Sequence, residues 1–205
     1  GSSNEAERLI LGADVEIIGA GVVRARSGED RIEIRGDVTA DGGELRLTNI
    51  DNAGATLSVD EVRGGDIRLG GALENTDLSV AEGAVVDVFS RITDVTVSGA
   101  GAARFNTSQA AGLTVADGGT VLIGDNGSSS SRETLSVQSD LVVDGTLRLE
   151  GASQFGTARL EMTGAQSVTG AGVIDLRRWD QETNASSYNE LRFDGLSGEA
   201  ETLVL

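Results

Sequence analysis

The sequence predicts an all-β protein whose short strands wind into a single-stranded β-solenoid (a parallel β-helix). A glycine-led phrase recurs at intervals of 18 to 27 residues, and apolar and polar residues alternate within each run. Repetition of this kind indicates about nine coils stacked on one another. The alternation indicates strands with one buried face. Aromatic residues make up only 3% of the chain, which favours a narrow core of Val, Leu and Ile.

The phrase reads Gly-x-apolar-x-apolar. Clear copies begin at Gly21, Gly43, Gly65, Gly101, Gly119, Gly145 and Gly172, and looser ones at Gly83 and Gly198. Between the phrases lies a second alternating signal, at 57–59, 78–80, 95–97, 113–115, 135–137 and 160–162. In a parallel stack, like residues form ladders about 4.8 Å apart. The longer spacing after Gly119 predicts a wider cross-section or protruding corners towards the C-terminus.

A two-sheet sandwich is the rival fold. The pairs Asp41-Gly42, Asp117-Gly118, Asp144-Gly145 and Asp194-Gly195 favour tight hairpins, which would make neighbouring strands antiparallel. A sandwich does not require one phrase to return at nearly constant spacing, so the solenoid is preferred.

Residues 1–8 are expected to be a lead-in, of which Gly1-Ser2-Ser3 resembles an expression tag remnant. Residues 9–205 are expected to be a solenoid segment of a larger protein. Because an open stack leaves backbone groups unpaired at its ends, end-to-end or lateral self-association is a further expectation.

Several classes of chemistry are excluded by composition. The chain has no Cys or His, and all 16 of its basic residues are Arg, so thiolate, imidazole and Lys catalysis are ruled out. A net charge of −17 argues against a nucleic-acid partner. No apolar run is long enough for membrane insertion. No cofactor is expected, and no calcium-binding repeat or EF-hand loop occurs, so no metal site is assigned.

Arginine occupies the fourth position of five phrases, at Arg24, Arg46, Arg68, Arg104 and Arg148. Stacked in register, these side chains would form a basic row able to grip a sulfated or carboxylated glycan. Neighbouring carboxylates such as Glu44 and Asp66 would instead neutralise the row as a lattice of weak surface pairs, and we expect this second outcome.

The segment 177–188 breaks the repeat and contains the only Trp and the only Tyr. Its candidate binding residues are Arg177, Arg178, Trp179, Asp180 and Tyr188, because an aromatic ring beside charged groups can stack on a sugar and bind its hydroxyls. The alternative is a loop that covers apolar surface on the side of the rod. Arg35-Gly36-Asp37 matches an integrin-recognised tripeptide, but we expect it to form an ordinary corner.

The segments LVVDGTLRL (141–149) and VTGAGVIDL (168–176) resemble repeats of bacterial autotransporter passenger domains and related large surface adhesins. The resemblance implies right-handed coiling, secretion or display on the bacterial cell surface, and a structural display or adhesion role. No enzymatic activity is expected, because Lys and His are absent and no distinctive cluster of catalytic residues occurs. A surface glycan or host-surface ligand is the expected partner of the segment 177–188. The alternative function is a carbohydrate-active β-helix, either a polysaccharide lyase or a hydrolase of the phage tail-spike type.

Overall fold

The computed structural model describes residues 6–89, 91–106, 108–124, 132–150, 157–163, 167–177 and 189–194. The described residues form strands without helices: β1 (Arg8–Leu11), β2 (Ile17–Arg24), β3 (Arg31–Ile34), β4 (Asp37–Asp51), β5 (Thr56–Arg63), β6 (Ile67–Val80), β7 (Val85–Val88), β8 (Arg91–Ser98), β9 (Ala102–Phe105), β10 (Ser108–Val115), β11 (Thr120–Gly124), β12 (Arg132–Val137), β13 (Leu141–Val143), β14 (Thr146–Glu150), β15 (Thr157–Thr163), β16 (Val168–Thr169), β17 (Val173–Arg177) and β18 (Asn189–Asp194).

The strands stack in parallel on three sides of a coil. Face A carries the glycine-led phrases: 21–24, 45–48, 67–70, 85–88, 102–105, 120–124, 146–150 and 173–177. Face B contains 8–11, 31–34, 50–51, 72–74, 91–93, 108–111, 132–137, 157–163 and 189–194. Face C contains 17–19, 37–40, 56–59, 76–80, 95–98, 113–115, 141–143 and 168–169.

All strand pairings among the described residues are parallel, which confirms the β-solenoid and removes the sandwich. The Asp-Gly pairs at 41–42 and 117–118 instead turn the chain from face C to face A within a coil. Gly42 and Gly118 supply this bend with φ values of 75° and 79°, in the left-handed region that glycine adopts without steric cost.

The expectation of nine coils was wrong, because the described strands make fewer complete turns: faces A and C each contain eight segments. The phrase at Gly198 lies outside the described residues. The phrase at Gly21 is out of register with the next one, since Gly21 pairs with Leu45 rather than with Gly43.

Inward side chains form the expected apolar ladders. One ladder on face A is fully buried, with every member 1% exposed or less: Leu47, Leu69, Val88, Phe105, Ile123 and Leu149. Phe105 places a ring where the sequence favours aliphatic residues. Its coil contributes the small inward residues Ala103 and Ala110, which are 0% and 1% exposed. Small neighbours leave the volume that the ring fills.

A close backbone approach, rather than dihedral freedom, explains several of the phrase glycines. A Cβ on Gly65 would lie 2.0 Å from the carbonyl oxygen of Gly43, and one on Gly172 would lie 2.2 Å from that of Gly145. These distances are far below any real carbon–oxygen contact. Consecutive phrases therefore begin with glycine because the coils touch there, backbone to backbone.

In three middle coils, the corner between faces B and C is a single residue in the left-handed conformation. Asn75, Asp94 and Gly112 stack there with φ values of 45°, 51° and 78°. Asn and Asp tolerate this conformation better than other side chains, and glycine adopts it freely. The short polar residue between two alternating runs therefore marks this corner.

Face B lengthens towards the C-terminus, as the longer repeats predict. It contributes 72–74 in β6 but whole strands of six or seven residues in β12 and β15. Arg159 lies on this wider part and is only 8% exposed. Its Nε donates to Glu190 Oε2 at 2.7 Å, which binds β15 to β18.

Candidate functional site

The predicted binding segment is described only at its first residue. Arg177 ends β17 on face A, and its side chain is 52% exposed. Arg178, Trp179, Asp180 and Tyr188 lie outside the described residues, so the grouping of these five candidates stays a prediction.

Arg177 belongs to a charged group on the outer surface of face A. Its Nε donates to Asp175 Oδ2 at 2.7 Å, and Arg148 Nε on the preceding coil donates to the same oxygen at 3.2 Å. The hydrogen bond from Arg177, reinforced by the one from Arg148, holds the pKa of Asp175 below its usual value. We call Arg148, Asp175 and Arg177 the terminal triad.

Asn189 connects the triad to face B. Its Nδ2 donates to the carbonyl oxygen of Arg177. Neither Asp175 nor Asn189 was predicted from the sequence. A signal for Asp175 was present, because an acidic residue occupies the fourth phrase position, where five of the earlier phrases have Arg.

The arginine row of face A exists only in part. The outward residues that stack in register are Val22, Arg46, Arg68, Asp87, Arg104, Leu122, Arg148 and Asp175. Including Arg24 in this row was wrong, because the register shift at Gly21 pairs Arg24 with Thr48. A continuous basic row is therefore not formed.

Carboxylates neutralise the arginines that do stack. Glu44 contacts Arg46 at 2.9 Å and Arg68 at 3.0 Å, measured from guanidinium nitrogen to carboxylate oxygen. Arg104 contacts Asp87 at 3.3 Å. Each such surface pair contributes about 0–1 kcal/mol to stability. The prediction that neighbouring carboxylates pair with these arginines in a surface lattice is confirmed.

Asp87 is the most enclosed carboxylate of this row, at 9% exposure. Burial raises the pKa of Asp87, and the positive charge of Arg104 opposes that rise. Asn106 Nδ2 lies 3.5 Å from Asp87 Oδ1 and adds a weak contact. Asp87 therefore anchors the lattice and offers little surface to a ligand.

Leu122 is an outward apolar residue that the phrase pattern did not single out. It stacks between Arg104 and Arg148 and is nevertheless only 9% exposed. The aliphatic stems of long charged side chains commonly cover apolar surface in this way.

An apolar cavity of about 310 Å³ opens at the end of the solenoid next to the terminal triad. Its lining includes Val143, Val168, Ile174, Leu176 and Leu191, contributed by all three faces. The cavity lies where the core ladders reach their last described coil.

The tripeptide Arg35-Gly36-Asp37 forms the corner from β3 to β4. A Cβ on Gly36 would lie 1.8 Å from the carbonyl oxygen of Val15, so this glycine is pressed against the coil below. The side chain of Arg35 is bonded to Glu33. The tripeptide is thus held against the rod rather than presented on a projecting turn.

Within the described ranges, no three acidic side chains are arranged to hold a metal ion. No helix in those ranges could cross a bilayer.

Comparisons of the chain with models of known families, with curated proteins and with solved structures found no match.

Proposed function

We propose that the chain is a structural display or adhesion segment of a secreted or cell-surface bacterial protein, with right-handed coils. The observation that carries the proposal is the unbroken inner ladder from Leu47 to Leu149, all of it within 1% of complete burial. Such a stack behaves as a stiff rod on the order of 30 Å long, given the strand spacing. A rod of this kind can act as a rigid spacer that holds the parts of a protein at its two ends apart.

The sides of the rod favour a spacer role. Glu44, Asp87 and Asp175 each contact at least one arginine, so their charges are satisfied within the protein. A glycosidase needs two carboxyl groups free to act as acid and base or nucleophile. We therefore propose that the chain is not an enzyme.

Ligand binding is assigned to the last described coils. Arg148 and Arg177 each bind Asp175 through Nε, and guanidinium groups offer further N–H donors of a geometry that fits carboxylates and sulfates. Trp179, two residues beyond Arg177 in the sequence, would supply the ring on which a sugar stacks. The proposed ligand class is therefore an acidic surface glycan.

A glycan array tests this assignment. The intact chain should bind sulfated or uronate-containing glycans, and both Trp179→Ala and Arg177→Ala should weaken binding at least tenfold. Arg46→Ala is the matched control, since it removes an arginine of the same face far from the triad. Absence of binding to any acidic glycan, or equal loss with the Arg46 variant, would exclude the adhesion site.

The catalytic alternative has its own test. Incubation with acidic polysaccharides should release no new reducing or unsaturated ends. Their appearance, and their loss in Asp175→Asn, would replace display by polysaccharide cleavage.

A further inference from the structure

The side chains that oxidants attack most readily are nearly missing from this chain. It contains no Cys, no His and a single Met, and all 16 of its basic residues are Arg. Lys is among the commonest residues of soluble proteins, so the use of Arg throughout is a marked bias. The single Trp and the single Tyr lie outside the described residues.

The one thioether lies inside the solenoid. Met162 belongs to β15, where its register partner on the preceding coil is Val137, and both residues are fully buried. Hydrogen peroxide oxidises a thioether by transferring one oxygen atom to the sulfur, and is itself reduced to water. The oxidant must reach the sulfur for this step. Oxidation of Met162 therefore requires the coil to open first.

Burial of Met162 also protects the fold. A sulfoxide would place a polar oxygen among apolar side chains, which costs free energy unless the oxygen is hydrogen-bonded. The other members of the buried core are Val, Leu, Ile and Ala residues and Phe105. Aliphatic and phenyl side chains have no sulfur for a peroxide to oxidise. The core of the described coils thus contains one atom that peroxide oxidises, and that atom is enclosed.

The ion pairs on the outside of the rod avoid a second reactive group, the amine. Hypochlorous acid reacts with the unprotonated amine of Lys, transferring chlorine to the nitrogen and releasing water. The guanidinium of Arg stays protonated, and its delocalised nitrogens are poor nucleophiles. Arg46 with Glu44 and Arg104 with Asp87 therefore form ion pairs from groups that this oxidant attacks slowly.

We propose that the solenoid resists small diffusible oxidants, so that the rod keeps its fold and length in the presence of hydrogen peroxide or hypochlorous acid. Two independent features carry the inference. One is the enclosure of the single thioether, and the other is the exclusive use of Arg in the ion-pair lattice. The property is separate from glycan binding, and it does not depend on what adjoins either end of the described coils.

Treatment of the intact chain with hydrogen peroxide tests the first feature. The variant Val173→Met supplies a reference in the same chain, since Val173 is 57% exposed and the new side chain is also apolar. Peptide mass spectrometry measures the sulfoxide at both positions. Met162 should oxidise roughly tenfold or more slowly than the introduced thioether, because it reacts only from an opened coil.

Two further measurements complete the peroxide experiment. Free N-acetylmethionine in the same sample gives a second reference rate, so the comparison does not depend on the variant alone. The wild type should keep its Tm, followed by circular dichroism, after an exposure that fully oxidises either reference.

Hypochlorous acid tests the second feature. Arg46→Lys keeps a positive charge beside Glu44 but introduces an amine at a position where the side chain is 48% exposed. After the same dose, the peptide that contains position 46 should carry chlorine in this variant and not in the wild type.

Three results would overturn the proposal. The first is oxidation of Met162 at the rate of either reference. The second is a fall in the Tm of the wild type after the peroxide exposure. The third is equal chlorine uptake at position 46 in the wild type and in Arg46→Lys.

Discussion

Asn52 lies inside the solenoid and bonds both backbone polar groups of Ile34 on the coil below. Its Oδ1 accepts from the Ile34 N–H at 3.1 Å, and its Nδ2 donates to the Ile34 carbonyl at 3.0 Å. Asn52 is fully buried. Here β4 has ended, so one amide side chain takes the place of the strand that would otherwise satisfy Ile34.

Replacement of Asn52 by Ala should therefore be strongly destabilising. It leaves two buried backbone groups without partners, at a cost of roughly 1–3 kcal/mol each. Urea unfolding followed by circular dichroism measures the loss. Asn52→Asp keeps the acceptor and loses the donor, so it should also destabilise. A change below about 0.5 kcal/mol in Asn52→Ala would show that the coil relaxes around the gap.

Gly65→Ala should destabilise by about 1–3 kcal/mol or more, because the new methyl group would overlap the Gly43 carbonyl and force two coils apart. The control is Gly28→Ala, where nothing lies within 4 Å of the added Cβ. Thermal unfolding of both variants compares them. Equal shifts in Tm would contradict the backbone contact.

Leu69 and Leu176 test how core energy is distributed, since both belong to the same face A ladder. Leu69 is 1% exposed, and its replacement by Ala should cost about 2–5 kcal/mol through the cavity left behind. Leu176 is 53% exposed, so Leu176→Ala should cost much less. Guanidinium unfolding of both variants gives the loss in free energy of unfolding for each. A loss for Leu176→Ala as large as that for Leu69→Ala would contradict the exposed position of Leu176.

Asp87 and Asp175 should affect the pH dependence of stability in opposite directions. Burial raises the pKa of Asp87, so the folded state holds its proton more tightly than the unfolded state does. The contribution of Asp87 is fully present below its unfolded pKa and is lost as the pH rises through its folded pKa. Asp175 has a lowered pKa, so its contribution is present above its unfolded pKa and is lost as the pH falls through the folded value.

Urea unfolding at a series of pH values between about 2.5 and 7 separates the two carboxylates. As the pH rises, the wild type should lose stability relative to Asp87→Asn. Over the same range, the wild type should gain stability relative to Asp175→Asn. The same trend in both variants would contradict the assignment of opposite shifts.

Much of the architecture could be predicted from the recurrence of one phrase. Face A follows from it directly, since Leu45, Ile67 and Leu147 occupy equivalent inward positions. The second alternating signal was harder to interpret, because it combines two faces. Leu113 to Val115 lies on face C, whereas Leu135 to Val137 lies on face B.

Face B was not predicted at the end of β4 for a physical reason. Ile50 and Asp51 are a complete face B segment there, and two residues cannot display a period. The corner at Asn75 was not predicted either, although Asn tolerates the left-handed conformation that it adopts there, with a φ of 45°.

The site was less predictable than the fold. Four of the five candidate residues lie outside the described structure, and the fifth, Arg177, is bound to Asp175, which the sequence did not indicate as a site residue. Asp175 stood in the phrase position that had been assigned to arginine. Ion pairs between coils depend on register, and the sequence specifies register only through the inward residues.

The contact of Gly65 with Gly43, and of Gly172 with Gly145, has a consequence for how such proteins vary. Each coil packs only against the coils directly above and below it. Gain or loss of one 18-residue unit, such as that between Gly83 and Gly101, therefore changes the length of the solenoid by a single strand spacing of about 4.8 Å. Insertion or deletion of whole repeats can therefore change the length of the solenoid in small, equal steps without changing its core.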